Sequence, residues 1–232
     1  MRLRSFLALA LLVLLAVPAT ASAENPKTWR VTIDNLTGPP VASFGQPLSA
    51  PLVAVHSNQA DMWSLGEQAS ETIRYIAEDG TPQFGLAALT GQPGYRSVAI
   101  EHLGTFPGFP GLLPIPIFPA ASRTFEVISS GKYDRLSLAM MLGLTNDGFT
   151  GLDSVPLHGD GGVYYTSGYD AGTERNNETF AFLPNLSLVF FVRDPETGVI
   201  THHPGIRGGA ALIPAVHGWN DPVSRITVTR QK

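Results

Sequence analysis

The chain has 232 residues, 44% of them hydrophobic and 15% charged, with 24 glycines, 19 prolines and no cysteine. That length suffices for one ordinary domain with its own core, while a formal charge of −4 without a Lys/Arg cluster argues against nucleic-acid and anionic-membrane partners. Disulfide staples are excluded, so stability must come from core burial, aided at most by a bound metal.

Taken in chain order, the first element is a leader. Arg2 and Arg4 precede a continuous apolar run from Phe6 to Val17, Pro18 breaks it, and Ala21-Ser22-Ala23 supplies small residues for cleavage. Residues 1–23 are therefore expected to be a signal peptide, with the mature domain spanning 24–232. Cleavage removes two arginines and no acid, which moves the formal charge from −4 to −6. The apolar run is shorter than the roughly 20 residues a spanning helix needs, so no membrane insertion is expected. The expected location is secreted or periplasmic, and the Ala-rich leader points to a bacterial envelope.

Beyond the leader, alternating segments rich in β-branched and aromatic residues predict strands at Trp29–Asn35, Thr124–Ile128, Leu136–Leu144, Leu186–Val192 and Arg225–Thr229. Strands near both termini suggest a closed sandwich. One region has a different period. Ser70 is a helix N-cap, Glu71 an acid in the first turn, and apolar residues recur at helical spacing up to Glu78. Asp79-Gly80 stops that helix, and Thr81-Pro82 starts a second one through Leu89. Phe106 to Pro119 reads as an extended loop.

Signatures of catalysis are missing. The chain has no G-x-S-x-G elbow, no H-E-x-x-H, no P-loop, no G-x-G-x-x-G and no cysteine nucleophile. Neighbours on an extended strand point to opposite faces, so His202 and His203 are poorly placed to chelate one ion. His56, His158 and His217 read as turn or surface residues. Two loops carry more chemistry: Thr145 to Asp153 and Tyr169 to Glu174 are dense in carboxylates, amides and hydroxyls. If they converge, their hard oxygens suit Ca²⁺, which takes about 6–8 oxygen ligands. If they do not, the same residues are turn formers whose side chains bond the backbone, and composition alone favours that reading.

The ordered set Leu144-Thr-Asn-Asp-Gly-Phe-Thr-Gly-Leu-Asp153, Tyr169-Asp-Ala-Gly-Thr-Glu174, His203-Pro-Gly-Ile206, His217-Gly-Trp219 and Pro222-Val-Ser-Arg-Ile-Thr-Val-Thr229 resembles the spondin domain. Val31 to Thr37, Gln46 to Leu52 and Glu78-Asp79-Gly80 fit its bacterial secreted branch. The resemblance covers essentially the whole mature chain. It implies an all-β fold, an antiparallel C2-like β-sandwich with a short helical insertion, carrying Ca²⁺ near one end. By motif the implied metal ligands are Glu126, Asp147 and Asp170, with backbone carbonyls near Met141 to Gly143 and water completing the shell. The chain departs from the animal proteins in having Gly148 where an aromatic follows the Asp, a different hairpin length from Ser129 to Leu136, and neither disulfides nor thrombospondin repeats. Integrin or matrix recognition is therefore not carried over.

The expected function is a secreted calcium-binding recognition or adhesion module without catalysis, its ligand an extracellular protein or polysaccharide. The alternatives are a purely structural envelope sandwich without a functional metal site and, more remotely, a hydrolase pairing Asp153 with His158 or His203.

Overall fold

Trp29, Val31 and Ile33 alternate with polar residues along β1 (Lys27–Asn35), and all three are fully buried. A two-residue side-chain period puts them on one face of the sheet. The computed structural model describes residues 25–105 and 112–232. The leader assigned to residues 1–23, and the stretch 106–111 of the Phe106–Pro119 loop, lie outside the described residues.

After β1 come β2 (Leu52–His56), the helices α1 (Glu71–Asp79) and α2 (Pro82–Leu89), β3 (Tyr95–Ile100), β4 (Leu103–Gly104) and β5 (Leu113–Pro114). The second half holds β6 (Ser122–Ser129), β7 (Arg135–Met141), β8 (Gly148–Pro156), β9 (Gly161–Thr166) and β10 (Tyr169–Asp170). The short helix α3 (Pro184–Ser187), β11 (Thr201–His202), α4 (Pro214–His217) and β12 (Ser224–Arg230) complete the order.

These strands form a four-stranded sheet, β6-β1-β12-β9, and a six-stranded sheet, β11-β10-β8-β7-β2-β3, with β4 and β5 as a separate ribbon. All these pairings are antiparallel. The first and last strands are neighbours, in register from Trp29 opposite Arg230 to Asn35 opposite Ser224. The chain is thus the all-β antiparallel sandwich with a short helical insertion that the alternation predicts.

Two cores explain the apolar patterns. Between the sheets, Trp29, Val31, Ile33, Ile226 and Val228 meet Val53, Val55, Leu136, Leu138 and Met140. On the outer face of the six-stranded sheet, Ile73, Ile76 and Ala77 of α1 cover Leu52, Ala54, Ala139 and Phe149. Strand β7 is therefore buried on both faces, which is why Leu136 to Leu142 is almost continuously apolar instead of alternating. Helix α1 begins as its sequence predicts: the Ser70 hydroxyl accepts a hydrogen bond from the Ile73 N–H, and Gly80 closes it at φ 62°.

Two expectations are corrected. Leu186–Val192 is not a strand: α3 ends at Ser187, and Leu188 and Phe191 have φ of 56° and 64°, values no extended strand tolerates. The segment turns instead so that the Phe191 N–H donates to Asp79 Oδ1 at 3.0 Å. His56 is not a surface residue. It lies wholly buried on β2, with its ring held between the Ser57 carbonyl and the Ser137 hydroxyl, both at 2.8 Å.

Candidate functional site

The turn between β7 and β8 is built around Thr145, whose hydroxyl donates to the Leu142 carbonyl at 2.7 Å and accepts from the Gly148 N–H at 2.8 Å. A Cβ on Gly148 would stand 2.5 Å from that hydroxyl and 3.1 Å from Cδ2 of His203, so the turn has no room for a side chain at this position. Strand β10 pairs with β8 in a register that sets Asp170 opposite Gly148, and the Ala171 N–H donates to the Asp147 carbonyl at 3.1 Å. The ladder itself therefore brings Asp170 beside Asp147.

Asp147 is fully buried. Its Oδ2 accepts from the Thr173 N–H at 2.7 Å, the Glu174 N–H at 2.9 Å and the Thr173 hydroxyl at 3.3 Å. Its Oδ1 is equally buried and has no hydrogen-bond partner among the described residues. Asp170 accepts from the Gly172 N–H at 2.7 Å and from the Asn176 amide. Burial, and after it the charge of Asp170, pushes the Asp147 carboxyl up to about 7 against the pull of its two N–H donors. Burial, then the charge of Glu78, pushes Glu174 up to about 8.

His203 closes the other side. Its Nδ1 accepts from the Gly205 N–H at 3.0 Å, its Nε2 is buried with no hydrogen-bond partner among the described residues, and its ring lies 5.1 Å from that of Trp219. Burial holds it down to about 4, although the Asp170 charge pulls the other way. The neighbouring His202 points outward against Tyr169, as strand alternation requires.

A second set of acids lies next to this one. Glu78 and Asp79 end α1 with both side chains buried, ion-paired to Arg193, and Arg74 reaches Glu78 at 3.5 Å. Glu178, at φ 53°, takes the Arg207 and Gly208 N–H groups at 2.6 and 2.8 Å, while its own N–H donates to Asn146 Oδ1 at 3.1 Å. Sequence reasoning did not single out Arg193 or Glu178 as parts of the site. The helical period carried one usable signal, since Asp79 sits three residues after Ile76 on the apolar face of α1.

Of the three ligands implied by resemblance, the structure brings Asp147 and Asp170 together and leaves Glu126 apart. Glu126 lies on β6 in the four-stranded sheet, at an outward position of the alternation, about half exposed and ion-paired to Arg30 at 3.6 Å. Among the described residues, no group of three or more His, Asp or Glu side chains is arranged to hold a metal ion. The implied trio therefore does not fit one ion. What the site does present is one open, buried carboxylate oxygen beside a second carboxylate. Asp147, Asp170 and Glu174 are buried inside the fold, whereas Asp153 of the same loop is exposed. Of the residues weighed for hydrolysis, Asp153 accepts from Ser64 at 3.0 Å and faces Asp61, His158 is exposed in a turn, and His203 faces Asp170, Arg207 and Asp221.

No helix among the described residues is long and apolar enough to cross a membrane. Comparison with known protein families and with curated proteins finds no match for the chain.

Proposed function

We propose that this chain is an exported, non-catalytic recognition or adhesion module that takes up a divalent cation at Asp147 and Asp170 and engages an extracellular protein or polysaccharide. One observation carries the reading: Asp147 Oδ1 is buried beside Asp170 without a hydrogen-bond donor among the described residues. A buried carboxylate oxygen in that position demands either a proton or a cation. The two carboxylates are hard oxygen ligands, which suit calcium, although the buried His203 Nε2 faces Asp170 as well. The ordered spondin-like motifs support the same reading, since Asp147 and Asp170 are two of the ligands they imply. Glu126 is left out of the proposal, so backbone carbonyls and water would have to complete the shell. Bound there, the cation would neutralise the two carboxylates and tie the β7–β8 turn to β10.

A rival reading has its own support. With its carboxyl pushed up to about 7, Asp147 can satisfy itself with a proton, and the domain would then be a metal-free structural sandwich. The melting temperature of the mature domain at neutral pH, first in EDTA and then with calcium raised to millimolar levels, separates the two. Occupancy at one hundred times the dissociation constant adds about 2.7 kcal/mol, a rise of roughly 5–10 °C at this size, and Asp147→Asn should abolish it. A flat titration selects the metal-free sandwich.

A further inference from the structure

We infer that the cleft beside the end of α1 binds an uncharged, largely apolar small molecule carrying one neutral hydrogen-bonding group. This does not rest on the cation reading. The cleft has a volume of about 810 Å³, inside the range of small-molecule sites. Phe44, Phe118 and Phe190 form its walls together with Pro47, Leu113 and Leu186. These three phenylalanines are 43%, 55% and 42% exposed as whole residues, so much of their apolar surface faces water.

The ligand's charge follows from the ionisable groups of the lining, Asp79 and His217. Asp79 is closed off by the Arg193 guanidinium and the Phe191 N–H. His217 accepts the Ile213 N–H at Nδ1, at 2.9 Å, which leaves its proton on Nε2, and burial holds the ring below its ordinary value and hence neutral at pH 7. A charged ligand would therefore lose its hydration without meeting a counter-charge. The polar requirement follows from the same count. The Ser49 hydroxyl is engaged with the Met141 N–H and the Ala50 carbonyl, and the Thr81 hydroxyl with the Tyr75 carbonyl. Asn185 donates its amide to the Gly143 carbonyl at 2.8 Å. The polar groups of the lining with no partner among the described residues are His217 Nε2–H, the Gln83 amide and the Asn185 carbonyl oxygen, so the polar end of the ligand is a neutral hydrogen-bonding group.

The test uses the mature full-length domain in EDTA, which keeps its outcome separate from that of the calcium titration. Nile red, an uncharged fluorescent probe, is titrated against the parent, against Phe118→Asp, Phe190→Asp and Gln83→Glu, and against Val163→Asp, an exposed apolar position on β9 outside the cleft. Melting temperatures show which variants fold, and the exposed Gln83→Glu keeps the test valid if an aspartate variant does not. The expected result is saturable one-to-one binding that weakens at least about tenfold in the cleft variants and is unchanged in Val163→Asp. Added 1-decanol should displace the probe at about one-tenth the concentration of decanoate or decylamine. Unsaturable binding, equal loss in Val163→Asp, or decanoate competing as well as decanol would each overturn the inference.

Discussion

Two pairs of buried carboxylates sit side by side and are handled in opposite ways. Glu78 and Asp79, at the end of α1, face guanidinium groups: Arg193 contacts both and Arg74 reaches Glu78. Asp147 and Asp170, at the junction of β8 and β10, receive N–H, amide and hydroxyl donors but, among the described residues, no cationic side chain. Even with its guanidinium neighbours, Glu78 is pushed above the usual carboxylate range, because burial outweighs the opposing charges. The first pair keeps its charge balance inside the fold. The second needs a proton or an ion from outside, and that difference separates a structural ion-pair network from a responsive site.

The largest test of that contrast is Arg193→Ala. Removing the guanidinium leaves two buried carboxylates without their main counter-charge, an expected loss of about 3–5 kcal/mol in urea unfolding. A neutral effect would break the comparison.

The next effect is a pH profile. In EDTA, Asp147 and Glu174 have folded values of about 7 and 8, well above their unfolded ones. The folded state therefore holds extra protons. The stability they contribute is fully present below pH ~4 and is lost as pH rises through 7 and 8. His203 works in the opposite sense: with a folded value of about 4, its contribution is present above its ordinary value of 6.5 and is lost as pH falls toward 4. Asp147→Asn should flatten the fall in stability between pH 5 and 7 by at most about 3 kcal/mol and leave the acid limb in place, as read by melting from pH 4 to 8.5. An unchanged fall over that range would mean that Asp147 is solvated or paired at neutral pH.

The smallest expected effect belongs to Glu126→Gln. Its ion pair with Arg30 is about half exposed on both sides, so stability should move by less than about 0.5 kcal/mol and any calcium response should persist. Loss of the calcium response in this variant would put Glu126 back in the site.

Much of the fold is legible in local pattern. The alternation of Trp29, Val31 and Ile33 writes a half-buried strand, and Ser70 with Gly80 writes both ends of a helix. The site is legible only in part. The motifs mark Asp147 and Asp170 as candidates, yet composition cannot say whether such residues are turn formers, because Asp is common in every loop. Glu126 shows how the motif misleads: the same alternation that makes β6 a strand turns its side chain outward on the other sheet. Leu186–Val192 shows the pattern failing, since an apolar run becomes a strand only where a partner edge is free to receive it.

The sequence by itself determined the period of most elements, both caps of α1 and the all-β class, because these depend on neighbours a few residues apart, whereas Thr81 makes no side-chain cap bond to α2. The tertiary structure decided which acids meet, which of them meet an arginine, and which oxygen of Asp147 is left without a donor. Those outcomes depend on contacts between segments as far apart in the chain as Asp79 and Arg193, and on a ladder register that sets Asp170 against Gly148. Local periodicity carries no information about either, and burial turns both into energy.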